Sequence, residues 1–194
     1  MERVEYTLDG QPFDLAVARP AGPGPHPAVL ICHAFSGRQP FEEAKAQALA
    51  ALGYVGVALD LYGVGRRGTD RASSGALMNG LLTDRAAFHG RLTEAVAQAR
   101  ALPGVDPDRL AAIGFCFGGL SALCMARLGL PLKGAVSFHG LLKLGAPLPT
   151  RPQARMLVLH GQDDPMVPPA DVGAFAAEMQ RVGGDWQLHA YPGV

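Results

Sequence analysis

The chain has 194 residues, with 17 Lys+Arg balanced by 17 Asp+Glu, 25 Gly, 16 Pro and three cysteines. Balanced charge without a basic block argues against a nucleic-acid partner, and no apolar run is long enough for a bilayer-spanning helix. Cys32, Cys116 and Cys124 are too few and too scattered for a disulfide framework, and the charged start Met1–Tyr6 lacks the apolar core of a signal peptide; a cytoplasmic, reduced protein is the expectation.

In chain order, Arg3–Leu8 and Phe13–Ala18 read as two strands joined at the hairpin turn Asp9-Gly10. A Pro/Gly-rich loop, Arg19–Pro27, precedes the apolar run Ala28–Cys32, a strand buried on both faces. The alanine-rich Glu42–Leu52 is helical with Gly53 as its stop, and Tyr54–Leu59 is the next buried strand. A long loop is expected over Leu61–Ser74, then a helix from about Leu81 to Leu102, carried by Phe88, Leu92, Ala95, Val96, Ala99 and Leu102. Strands at Leu110–Phe115, Ala135–Phe138, Met156–Leu159 and Trp186–Tyr191 alternate with helices at Phe117–Leu128 and around Val172–Val182. Such alternation predicts one α/β domain over 1–194, with a mainly parallel sheet and helices on both faces. Ligands then bind beyond the carboxyl ends of the strands. His33, Cys116, His139 and His160 are all expected just after such ends.

Gly114-Phe115-Cys116-Phe117-Gly118-Gly119 follows directly on an apolar strand. This is the pattern of a nucleophile elbow with cysteine in the place of serine. Glycines two residues before and after the nucleophile leave room for a sharp turn, and the helix that follows aims its N-terminus at the thiol, favouring a thiolate and a developing oxyanion. A buried structural cysteine at a Gly-rich strand end is the alternative. In His160-Gly161-Gln162-Asp163-Asp164-Pro165-Met166-Val167-Pro168 a carboxylate pair follows another strand. One carboxylate could orient an imidazole while the other caps the turn, although ordinary turn chemistry would also use these residues.

The elbow, the Gly161-x-x-Asp164-x-x-Val167-Pro168 loop, Asp60-Leu61-Tyr62-Gly63 and the closing Tyr191-Pro192-Gly193 together resemble the dienelactone hydrolase family of α/β-hydrolases. The resemblance implies the α/β-hydrolase fold and cleavage of a small ester or lactone through an acyl-enzyme. It implies Cys116 as nucleophile, Asp164 rather than Asp163 as triad acid, and the backbone N–H groups of Phe35 and Phe117 as oxyanion donors. In that family the catalytic histidine follows the last strand by a few residues, and a C-terminal helix then covers the sheet. The sequence ends at Val194, short of both, so the expectation is a longer protein that supplies them. Where dienelactone hydrolases proper place an acid before the first oxyanion donor, this chain has Ala34; the resemblance is therefore weakest for dienelactone itself.

Among the resident histidines, His33 is expected to brace the oxyanion loop, His160 to pack by the acid loop, and His139 to have a structural or substrate-contacting role. His26 and His89 read as surface residues, and His189 lies in the final strand. Arg66, Arg67 and Arg85 are candidate substrate contacts, with solvated surface charge as the competing reading. No metal-ligand spacing or nucleotide-binding glycine pattern is present, so no metal or cofactor is expected. Three rival readings remain: a serine-like esterase, thioesterase or peptidase on the same fold, a hydrolase fold that binds without turnover, and a thiol redox sensor built on a low-pKa Cys116.

Overall fold

A computed structural model of the chain describes residues 1–143, 145 and 150–194. The chain begins with an antiparallel hairpin, β1 (Glu2–Leu8) and β2 (Gln11–Ala18), turning at Asp9 and Gly10, both at positive φ. Next come β3 (His26–Cys32), α1 (Pro40–Ala51) and β4 (Val55–Leu59). Two helices, α2 (Arg71–Thr83) and α3 (Arg85–Arg100), lead to β5 (Val105–Phe115) and α4 (Phe117–Arg127). The remainder is β6 (Gly134–Phe138), β7 (Arg155–Gly161), α5 (Pro169–Val182) and β8 (Trp186–Tyr191).

The eight strands form one sheet in the order β1-β2-β4-β3-β5-β6-β7-β8. β2 pairs antiparallel with β1 and β4, and every pair from β4 to β8 is parallel. Strand order reverses about β3: the chain leaves β3 for β4 on one side and later returns to β5 on the other. A crevice opens at such a reversal beyond the strand ends. Phe35 follows β3 and Cys116 follows β5, so the topology itself brings these two residues together.

One face of the sheet carries the main core, where Leu30, Cys32, Val57 and Ala112 meet Phe88, Leu92 and Ala95 of α3, Leu120 and Leu123 of α4, and Phe175 of α5. Every residue of α4 from Phe117 to Ala126 is buried, as a helix apolar all round should be. On the other face α1 packs by small residues, Ala46 against Ala16, Ala58 and Ile31. On that same α1 face, farther along the sheet, Ile113, Phe115, Val136, Phe138, Leu157 and Leu159 remain half-exposed.

Three expectations need correction. The segment expected as a loop up to Ser74 becomes helical at Arg71, and the single helix expected from Leu81 is two, broken at Asp84. Asp84 ends α2 and caps α3, accepting a hydrogen bond from Ala87 N–H at 3.0 Å. A carboxylate there satisfies first-turn donors of α3 that a continuous helix would not have left free. His160, expected just past a strand, is inside β7 with its side chain buried in the sheet–helix interior.

Candidate active site

Cys116 stands between β5 and α4 with φ 57° and ψ −118°, a strained combination for a residue with a Cβ. The turn is held from below, Cys116 N–H donating to Phe138 O at 3.0 Å. It is so tight that a Cβ on Gly114 would lie 2.0 Å from Gly118 O, and one on Gly118 would lie 2.1 Å from Cys32 O. Glycine at both positions is thus a requirement of backbone-to-backbone contact. The thiol is lifted to the carboxyl edge of the sheet, half-buried and free of any disulfide.

The backbone N–H groups of Phe117 and Phe35 face the sulfur and favour its thiolate, as the helix N-terminus leads one to expect. Burial outweighs them, and the negative charge of Asp164 adds to burial, so the Cys116 pKa is raised above that of an ordinary thiol. The expectation of a low-pKa thiol is therefore overturned: two N–H donors do not repay the loss of solvent. Cys124, two helical turns on, is itself buried, with its pKa pushed up to about 11 by desolvation.

The loop after β3 is fixed from several directions. His33 is fully buried; its Nδ1 lies 2.7 Å from Ala34 O, and its Nε2 accepts from Leu61 N–H at 3.1 Å. That acceptor role makes Nε2 the unprotonated nitrogen and Nδ1–H the donor. Burial lowers the His33 pKa to about 4, so the ring is a neutral brace. Tyr62 donates its hydroxyl to Phe35 O at 3.0 Å, and its ring stacks on Phe117 with centroids 5.8 Å apart. The buried carboxylate of Glu42 accepts from Gln39 N–H at 2.8 Å and Ala34 N–H at 3.3 Å, tying the start of α1 to the same loop.

Asp164 follows β7. Its Oδ1 accepts from Met166 N–H at 2.9 Å, and its second oxygen accepts no hydrogen bond among the described residues. Asp163 does different work: its Oδ2 accepts from Gly193 N–H at 2.9 Å and its N–H donates to Val194 O at 2.9 Å. The structure therefore brings Cys116, Phe35, Phe117 and Asp164 into one site and turns Asp163 towards the segment after β8. Among the described residues no histidine hydrogen-bonds to Cys116 or Asp164. His139, at φ 41°, is exposed, and its ring lies 6.5 Å from that of Phe115.

The candidate arginines separate. Arg67 is committed to the fold, donating to Arg38 O at 2.6 Å and pairing with fully buried Asp60 at 3.4 Å, while Arg66 is exposed beside a cavity of about 630 Å³ between α2 and the loop after β4. Arg85 is not solvated as expected; one guanidinium nitrogen is buried. Tyr62 and Glu42 are the supporting residues that sequence reasoning missed. Glu42 had left a signal, sitting three residues after Gln39 at a helix start that opens with Pro40.

Among the described residues no group of side chains is arranged to hold a metal ion, and no helix is long and apolar enough to cross a membrane. The metagenomic dienelactone hydrolase-like promiscuous phosphotriesterase P91 superposes with a TM-score of 0.89 at 32% identity, covering 100% of this chain and 81% of that one. A Synechocystis sp. protein provisionally named a carboxymethylenebutenolidase is 25% identical over 206 residues, 96% of this chain and 82% of that protein. An uncharacterised Caenorhabditis elegans protein is 36% identical over 99 residues, 50% of this chain and 63% of that protein. The sequence profile of the dienelactone hydrolase family matches residues 13–194. With an eight-stranded, mainly parallel sheet and a cysteine at the elbow, the chain belongs to the dienelactone hydrolase family.

Proposed function

We propose that the protein hydrolyses a small ester or lactone, with Cys116 as the nucleophile. The observation that carries this reading is the positive φ of Cys116 beneath two converging N–H groups. A structural cysteine has no use for that strain, whereas a nucleophile does. The name of the Synechocystis relative supports a lactone among the substrates. Ala34, in the place of the acid found in dienelactone hydrolases proper, turns the reading towards other small esters and lactones.

At rest the thiol keeps its proton, so a base is needed. We assign that role to an imidazole hydrogen-bonded through its Nδ1–H to the second oxygen of Asp164. As Sγ gives up its proton to the base, it forms a bond to the carbonyl carbon and the carbonyl π pair moves to oxygen. Phe35 and Phe117 N–H groups receive that charge, each contributing about 3 kcal/mol. Collapse breaks the C–O bond to the leaving group, which takes the proton from the imidazolium. Water deprotonated by the same base then adds to the thioester, and the C–S bond breaks to restore the thiol.

A second reading, a hydrolase fold that binds without turnover, is favoured by one observation: among the described residues no base touches Cys116. Intact-mass analysis of the chain with p-nitrophenyl acetate, with and without added imidazole, separates the two. An acetyl adduct that forms on Cys116, turns over faster with imidazole and disappears in Cys116→Ala supports the hydrolase. No adduct under either condition sinks it and leaves the binding protein.

A further inference from the structure

A cavity of about 770 Å³ opens between α4, α5, the end of α2 and start of α3, and residues 141–143 and 145. Neither Cys116, Phe35, Phe117 nor Asp164 lines it. Its size is that of small-molecule sites. Its walls carry Arg85, Arg127, Lys143 and Arg181 against two carboxylates, Asp171 and Glu178, and Glu178 is paired with Arg127. The rest is largely apolar, with Leu120, Leu141 and Phe175 among the lining residues.

Arg85 is the anomaly. It is the first residue of α3, where the helix dipole disfavours a cation, and the neighbouring carboxylate, Asp84, is engaged by Ala87 N–H. Its Nη1 is buried with no hydrogen-bond partner among the described residues, a costly state for a charged donor. Arg127 is close enough that the two guanidinium groups repel, and their joint positive field reaches His89 and Cys124. Three unfavourable features thus coincide on one side chain, and a bound anion would relieve all of them.

We propose that this cavity binds a small organic carboxylate, its anion held by Arg85 and its apolar body lying against Leu120, Leu141 and Phe175. A planar carboxylate matches the guanidinium fork with two parallel hydrogen bonds. The modest surplus of positive charge suits a monoanion. The apolar wall suits a hydrocarbon body, from which a free inorganic anion would gain nothing.

The chain carries its own reporter. Trp186 is its one tryptophan and packs edge-on against Phe175, ring centroids 5.6 Å apart. Titration of the protein with hexanoate, followed by Trp186 fluorescence, should give a saturable change, with hexan-1-ol and inorganic phosphate binding much more weakly. Arg85→Gln should weaken hexanoate about tenfold or more, the loss of a charge-assisted contact. It should also leave the ligand-free thermal midpoint unchanged or raise it, since it removes an unpaired buried donor. Ala177→Phe, at an exposed lining position of α5, should weaken hexanoate similarly while the protein stays folded, so the test survives if Arg85→Gln misfolds. Cys116→Ala should not alter the affinity.

No saturable change with hexanoate overturns the proposal, as does equal binding of hexan-1-ol or phosphate. Unchanged affinity in Arg85→Gln or Ala177→Phe, or a lowered ligand-free midpoint in a folded Arg85→Gln, does the same. Loss of binding in Cys116→Ala would move the ligand to the elbow and overturn it too. None of these readouts depends on turnover, so failure here leaves the proposed hydrolase untouched.

Discussion

The hydroxyl of Tyr62 holds the carbonyl oxygen of Phe35 at 3.0 Å, so the loop after β4 sets the height of the loop after β3. Tyr62→Phe keeps the ring that stacks on Phe117 and removes only this bond. We expect stability to fall by about 1 kcal/mol. Hydrolysis should slow about five- to tenfold through kcat, with KM little changed, because the donor is used chiefly when charge develops on the substrate oxygen. Steady-state kinetics beside urea unfolding checks both.

His33 makes folding sensitive to acid. Its folded pKa of about 4 lies below the usual 6.5, so the unfolded chain binds the proton more readily. The stabilisation is fully present above pH 6.5 and is lost progressively as pH falls towards 4, at up to about 1.4 kcal/mol per pH unit. Urea unfolding at pH 7 and pH 4.5 should show a markedly smaller difference for His33→Gln than for the parent. An unchanged difference would remove His33 as the sensor.

Asp164 and Cys116 are coupled in a direction opposite to activation. The carboxylate raises the thiol pKa, so Asp164→Asn should lower it and speed alkylation by iodoacetamide at pH 8. The same variant should lose ester turnover, because nothing then orients the base. Cys32 and Cys124 are buried, so mass-resolved labelling reports Cys116.

Two glycines make a matched pair. Gly118→Ala drives a Cβ to 2.1 Å from Cys32 O, backbone against backbone, and should cost about 3 kcal/mol or more. Gly75, inside α2, has no neighbour within 4 Å of the point where a methyl group would stand, so Gly75→Ala should stabilise by about 0.5–1 kcal/mol. Thermal unfolding of the two variants should move in opposite directions.

What the sequence revealed follows from how local each signal is. The elbow was legible because its glycines, strand and helix are contiguous, and the middle of the sheet because β3 and β4 are nearly continuous apolar runs. α2 was not: Ser73, Ser74, Gly75, Asn79 and Gly80 are poor helix formers, and among its residues only Ser74 and Leu81 are buried. Its signal was the capping box, Asp70 accepting from Ser73 N–H at 2.7 Å while the Ser73 hydroxyl reaches back. The brace of the loop after β3 could not be read, because His33 meets Leu61 and Tyr62 meets Phe35 across 28 and 27 residues. The raised pKa of Cys116 was hidden for the same reason: burial is a property of the assembled chain.

The contacts of Gly114 and Gly118 carry a consequence for how such an enzyme can change over generations. Main-chain atoms alone, stacked at their closest approach, fix where Cys116 stands, and the sulfur contributes nothing to the mould. The atom at the tip is thus exchangeable, and a lineage can trade thiol for hydroxyl without rebuilding the turn, whereas a single methyl group added beneath it closes that route.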